Sequence, residues 1–527
     1  MTPGKSKLSY RLGALALAFA APFAFMGISI AQEGGDGPVR GPKGTVATIT
    51  SPELVWQLPA NVDKSYDMID GARMMTYVKE QAAISLKSRD QGNKWWGRIA
   101  GQPSGDEMQA WVTAKLKGVG LDVSTTIIPM PTQEIPKDWD VTVSAGGKSF
   151  KLESAFPSID FTSAMPGNKG DENLDAVWVG LGQAIDFDGK DVRGKAVFIY
   201  SIPTPSTLVQ SADWMGAVAR AQKAGAKAVV VGIAIPGNMK YLSHGITGDR
   251  KLNVKIPIYS IGNDDVMKVA DMAHEGLTKN DFKAHVSWDV DVSDGHKEGV
   301  VIGKLAGMTD EKIVMIAHTD GFFEGATDDG AGVAAFIETA NYFAKLPKEK
   351  RRRTMYFLAL PDHHEGNAGG AWLHNNMKSL FPNTALLMNA EHIAAKAPVY
   401  DRAWGKGGAP SLIATNGNGP SWWGVYGSDR LANIVRDGYA TFGVPTQLAE
   451  GGSPGELSSV QFDAPSFYLH NKGVYYHADA DTPDVVPVDG MRNAVQAIAK
   501  IFNDVNQVDL KDLQAPTDRL AKTASAQ

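Results

Sequence analysis

Between Gly299 and Val505, short apolar strands alternate with helix-length segments, and this alternation constrains the chain more than any other feature. Strands that read as continuous apolar runs must be covered on both faces, so the pattern predicts an α/β fold: a mixed, mostly parallel sheet flanked by helices. The expected strands are Ile313–Ala317, Thr354–Leu360, Thr384–Met388 and Ser466–Leu469. Between the first two, Val333, Phe336, Ile337, Ala340 and Ala344 keep a helical period and place one apolar face on the sheet. In such sheets ligands gather at the carboxyl ends of the strands.

Polar residues fall at those ends. Seven of the eleven histidines lie at or after position 318. His318 and Asp320 close the first strand, and Asp328 and Asp329 open the following helix. The second strand ends in Asp362-His363-His364-Glu365-Gly366, and the third in Asn389-Ala-Glu391-His392. His477 and Asp481 precede the last helix. A lone histidine at a strand end is usually a packed or capping residue, and paired aspartates before a helix are usually caps. Four such groups, each at the mouth of a strand, point instead to one metal site. The chain has no cysteine, so any metal must be held by His, Asp and Glu, a donor set that suits zinc.

The rest of the chain divides by texture. Lys5, Lys7 and Arg11 precede an apolar stretch that ends in Ser29 and Ala31, the pattern of a secretory signal over residues 1–31. Its removal leaves the remainder more acidic than the net charge of −6 of the whole chain. The expected location is exported, periplasmic or secreted, with no stable membrane span after cleavage. Residues 32–60 are rich in Gly and Pro and read as a linker. Helices are expected over Ser65–Arg89 and Ser104–Leu116, the second closed by Gly118 and Gly120 before a strand Leu121–Ile128. No Lys/Arg-rich block is present, which sets nucleic acid aside as a partner.

Residues 131–295 change to short strands and Gly/Asp turns. A polar turn and buried strand occupy Asp188–Tyr200, and the helix Ala217–Ala224 is closed by Gly225 before the strand Ala228–Val231. The runs DVRGKAVFIYS and AQKAGAKAVVVGI resemble the protease-associated domain, a β-rich α+β module found inserted in peptidases. The expected division is therefore a catalytic domain over 61–130 and 296–508, the insertion over 131–295, and a flexible tail over 509–527.

The motifs AHTD, GATDDGAGV, the strand ending in DHHEG, NAEH and YYHADADT resemble, in order, those of the co-catalytic zinc aminopeptidases of peptidase clan MH, family M28. The resemblance covers about Trp96 to Val505 and implies the zinc-peptidase fold, with two zinc ions and cleavage of a peptide or amide bond. It implies that His318, Asp328 and Glu391 bind one metal, with Asp328 bridging and Asp329 following through a strained peptide. Asp320 would orient the His318 ring, and His364 and His477 would hold the second metal. The chain departs from the family at DHHEG, where the two glutamates are replaced by His363, as the base, and His364, as a ligand. A one-residue slip, with His364 as base and Glu365 as ligand, is the alternative; strand ends tolerate slips poorly, which favours the ungapped register.

Tyr475 and Tyr476 beside His477, and Trp422 and Trp423 in SWWGVYGS, are candidates for substrate binding, the tryptophans equally for the core. Two rival functions stay open: a catalytically impaired peptide-binding protein on a peptidase frame, and a one-metal amide hydrolase resembling glutaminyl cyclases.

Overall fold

Local capping sets where the N-terminal helices begin and end. Asp70 accepts hydrogen bonds from the backbone N–H groups of Ala72 and Arg73, so the first long helix runs Gly71–Asp90, and Lys64–Tyr66 ahead of it forms a single 3-10 turn. The second helix spans Pro103–Gly118, and Gly120 takes the left-handed φ of 92° that turns the chain into the strand Asp122–Pro129. This computed structural model describes residues 39–40, 46–47 and 62–515, apart from 159–167, 202, 205–206, 212–213, 236, 243–255, 401–411, 449–452, 454 and 472. The signal sequence expected over 1–31 lies outside the described residues. So does the linker expected over 32–60, except for the antiparallel pair Val39–Arg40 and Val46–Ala47.

One eight-stranded sheet is assembled in the order Thr446–Leu448, Ser421–Tyr426, Ser466–His470, Thr384–Ala390, Thr309–His318, Arg353–Leu360, Lys297–Leu305, Asp122–Pro129. Its four middle strands are parallel, so His318, Leu360, Ala390 and His470 finish at the same edge. Successive side chains feed two cores, as the pleat requires. Ile313, Met315 and Ala317 join Val78, Phe336 and Ile498 of the covering helices on one face. Val314 and Ile316 join Leu373 and Met377 of the helix Ala368–Leu380 on the other.

A second eight-stranded sheet draws on residues 133–293, in the order Lys148–Lys151, Gln133–Ala145, Lys283–Ser293, Lys169–Trp178, Ala196–Ser201, Ala228–Ile233, Ile258–Ile261, Phe156–Pro157. Its core takes in Trp95, Trp96, Phe322 and Phe323, so the segment just after His318 is packed by both sheets. No helix among the described residues is long and apolar enough to cross a membrane. The segment from 509, expected as a flexible tail, begins with the helix Leu510–Leu513, whose Leu513 is buried in the first sheet's core. Residues 516–527 lie outside the described chain.

The helix Ala331–Lys345 differs from the one-faced helix expected from its sequence, being buried on every side from Ala331 to Phe343. The helices Gly71–Asp90 and Val488–Val505 both lie against it. Burial of the polar Glu338 is compensated by its ion pair with Arg73 and by the backbone N–H of Asp70. Gly332, in its first turn, passes so close to the sheet that a Cβ there would overlap Asp329 Oδ1 and the carbonyl of Ala390. Gly332→Ala is expected to cost about 1–3 kcal/mol, read as a lower urea midpoint with an unchanged slope.

Candidate metal centre

His318 is the last residue of its strand and is fully buried. The segment that leads from it to Asp328 is held by Arg98, whose guanidinium donates to the carbonyls of Thr319, Glu324 and Gly325 at 3.2, 2.8 and 3.1 Å. Asp328 and Asp329 are joined by a cis peptide. Asp481 closes this bend from the far side: its carboxylate accepts from Thr327 N–H, Thr327 Oγ and Asp328 N–H. Burial pushes the Asp481 carboxyl up to about 7 against those bonds.

Asp328 is the point on which the histidines converge. Its Oδ2 lies 3.0 Å from His364 Nε2 and 2.9 Å from His477 Nε2. Its Oδ1 lies 3.2 Å from His318 Nε2 and 3.4 Å from His392 Nε2. Burial would raise the Asp328 carboxyl, but the charges of His364 and His392 hold it well below the usual range. Burial likewise opposes a charged His364, yet Asp328 and the hydrogen bond that the ring donates to Asp320 raise it to about 9.

The donor set fits a dication. One atom from each of Asp328, His364 and His477 falls within 4.8 Å of the others, and all three residues are buried. Two further sets meet the same spacing: His318, His363 and His364, and Glu391, His392 and His470. Asp328 Oδ1 and His318 Nε2 are buried and face each other with no hydrogen-bond partner. A metal drawing on both would satisfy them, at a position where an unsatisfied polar atom is costly.

The expected site residues are placed as follows. His364 reaches Asp328, whereas Glu365 turns to the indole N–H of Trp95 at 3.2 Å and to Gln133, so it is His364 that this register brings to the centre. Asp320 was expected to orient His318, and the His318 Nδ1 lies 3.1 Å from its backbone carbonyl and 3.6 Å from its carboxylate. The carboxylate also accepts from the backbone N–H groups of His363 and His364 and from His364 Nδ1 at 2.9 Å, because the turn after Leu360 points those donors at it. Tyr476 stacks on His477 with ring centroids 3.6 Å apart, while Tyr475 packs into the core of the second sheet. Trp423 and Trp422 pack against opposite cores of the first sheet, on successive positions of one strand.

Sequence reasoning gave no site role to Glu456, His470 or Tyr241, nor to His392, which it named only as closing the third strand's polar group. Glu456 Oε1 bonds His363 Nδ1 at 2.6 Å; burial would raise its carboxyl, but the charge of His363 and this hydrogen bond outweigh that and lower it. It lies in the loop AEGGSPGELSS, where only its charge among small residues marked it. Tyr241, from the second sheet's connections, bridges to Ala478, and the next N–H, of Leu242, bonds the carbonyl of His477 at 2.8 Å. No spacing pattern in the sequence could have paired these segments.

Residues 300–420 match the model of peptidase family M28. No curated protein matches the chain. Among solved structures, the chain is similar to the peptidase M28 precursor of Shewanella amazonensis SB2B, at 17% identity over 86% of this chain and 100% of that one, with a TM-score of 0.60. It is also similar to BSAP, a zinc aminopeptidase from Bacillus subtilis, at 15% identity over 85% and 98%, TM-score 0.55. A third is the aminopeptidase from Aneurinibacillus sp. strain AM-1, at 17% identity over 83% and 94%, TM-score 0.52. The segment that matches the family model carries His318, Asp328, His363, His364 and Glu391, and the α/β frame around it is the one these structures share. At these identities the structures establish the fold, and the chemistry rests on the site.

Asp481 supports the centre without facing the histidines. Asp481→Ala is expected to weaken zinc affinity by about 10–100-fold, measured by competition with a chromophoric chelator, while the chain stays folded by circular dichroism.

Proposed function

We propose that the chain is an exported metallo-exopeptidase of the aminopeptidase type, with two zinc ions at a histidine-rich centre and a peptide as its substrate. The observation that carries this reading is the convergence of His318, His364 and His477 on the single carboxylate of Asp328. When bound, such a zinc pair polarises a carbonyl and lowers the pKa of a water molecule. Asp328, His364 and His477 would hold one ion, and His318, Asp328 and Glu391 the other.

The base in this reading is His363. It is the one histidine of the His318–His363–His364 set that keeps some exposure. Glu456 fixes the tautomer: with Nδ1–H donated to its carboxylate, Nε2 carries the lone pair that takes the proton of the attacking water. The imidazolium formed is stabilised by the same carboxylate and returns its proton to the leaving amine. His318 stacks on the His363 ring at 4.3 Å between centroids and keeps it from turning away.

The second sheet is read as the inserted protease-associated domain, and its Lys240–Leu242 segment as a brace for the loop that presents His477. Tyr241, fully buried with its hydroxyl unbonded, brings a polar group of that domain toward the centre.

The test is release of amines from a panel of aminoacyl anilides and their N-blocked counterparts. Turnover of the free-amino series that is lost on chelation and restored by zinc is the expected result. Equal cleavage of blocked substrates would overturn the exopeptidase assignment, and no turnover by zinc-loaded protein would leave a binding protein on a peptidase frame. His363→Ala is expected to keep its zinc and lose roughly 10²–10⁴-fold in kcat. Glu456→Gln should lower kcat with little change in KM.

A further inference from the structure

The strands Thr384–Ala390 and Ser466–His470 are parallel neighbours with Ala390 opposite Leu469, so the residues at their carboxyl ends emerge side by side. Glu391, His392 and His470 occupy that position. All three are at least 97% buried, and one donor atom from each lies within 4.8 Å of the others. Glu391 Oε1 is 3.6 Å from His392 Nε2 and 3.9 Å from His470 Nδ1. Those separations are longer than hydrogen bonds of about 2.7–3.2 Å. They approach the donor–donor spacing of about 3.3 Å set by tetrahedral ligands at zinc distances. The two rings meet edge to face at 74°, with centroids 4.6 Å apart.

The surroundings hold each donor in place. Asn389 Nδ2 donates to Glu391 Oε2 at 2.6 Å, which leaves Oε1 turned to the imidazoles. Gly455, at φ 60°, presses its backbone so closely on this carboxylate that a Cβ would overlap Oε2. His392 is in the left-handed region at φ 51°, and its N–H is tied to Asp329 Oδ1 at 3.1 Å. His392 Nε2 also faces Asp328 Oδ1 at 3.4 Å, an oxygen with no hydrogen-bond partner. The cluster is therefore continuous with the Asp328 centre through that one oxygen.

We infer that Glu391, His392 and His470 bind a borderline transition-metal dication of the zinc class, sharing Asp328 Oδ1, at the position where the reading above needs only His318, Asp328 and Glu391. The inference rests on that reading and adds His392 and His470 to the ligands it names for the ion at Glu391. Two imidazoles to one or two carboxylates select zinc, cobalt or nickel over magnesium and calcium, which take oxygen donors.

The experiment is elemental mass spectrometry and cobalt titration on the full processed chain, comparing wild type, the double variant His392→Gln/His470→Gln, and His477→Gln. Wild type is expected to bind two equivalents, with the second cobalt equivalent adding its own visible band. The double variant should keep one equivalent and lose that band, and His477→Gln should keep the band and lose the other equivalent. A double variant that still binds two equivalents with unchanged affinity overturns the inference, as does a wild-type protein whose only ion is removed by His477→Gln. In that last case the hydrolase reading survives, whereas a wild type that takes no metal ends both. Should the double variant not fold, the wild-type cobalt titration decides alone: a single band saturating at one equivalent overturns the site.

Discussion

Four imidazoles stand within 3.4 Å of the two oxygens of Asp328, a residue 2% exposed, and the rest of the structure can be traced from the cost of keeping that carboxylate buried. An isolated carboxylate in a protein interior is strongly unfavourable unless charge and hydrogen bonds reach it. His318 and His392 arrive from the ends of adjacent parallel strands, His364 from the turn after a third, and His477 from the loop before the last helix. The parallel arrangement is what makes this convergence feasible, because only parallel strands end on one edge in succession. The Asp328 backbone is fixed as firmly as its side chain, by Asp481 at its N–H and by Arg98 along the segment that precedes it.

The second sheet is coupled to the same constraint. Leu242 and Lys240 bond the loop that carries His477, while Phe322 and Phe323, just past His318, are buried in that sheet's core. Two of the four imidazoles therefore owe their positions partly to residues 133–293. Removing the second sheet would strip apolar contacts from both places at once, so it works as a structural part of the centre.

The sheet and its edge were legible because they depend on local patterns. The strands expected at Thr354–Leu360 and Thr384–Met388 are found at Arg353–Leu360 and Thr384–Ala390, since continuous apolar runs bounded by polar turns leave few other solutions. The helix Ala331–Lys345 was legible as a helix but not in its burial, which is decided by two helices distant in sequence. His318, Asp328, His364 and His477 could be read because each sits at a strand end or a helix start. Glu456 and His470 could not: Glu456 comes from an irregular loop, and His470 reads as an ordinary strand terminus until Glu391 and His392 are seen beside it. The further hydrogen bonds of Asp320 were hidden for a similar reason, since nothing in the spacing reveals that two backbone N–H groups of a neighbouring turn reach its carboxylate.

Under the proposed function, the histidines of DHHEG place two imidazole rings where the family resembled in sequence has glutamates. A carboxylate stands behind each ring, with the imidazole between it and the centre. His364 bonds the Asp320 carboxylate through Nδ1 at 2.9 Å while Nε2 faces Asp328, and His363 bonds the Glu456 carboxylate through Nδ1 at 2.6 Å. Each ring thus stands between a carboxylate and the centre, and hydrogen bonding at Nδ1 raises the electron density available at Nε2. A glutamate at position 364 would leave Asp320 with its backbone N–H donors alone, and one at position 363 would remove the ring that Glu456 bonds. The exchange is therefore a coupled one: His364 requires Asp320 in its present hydrogen bond, and His363 requires Glu456, so restoring one glutamate alone would destabilise the centre that it was meant to strengthen.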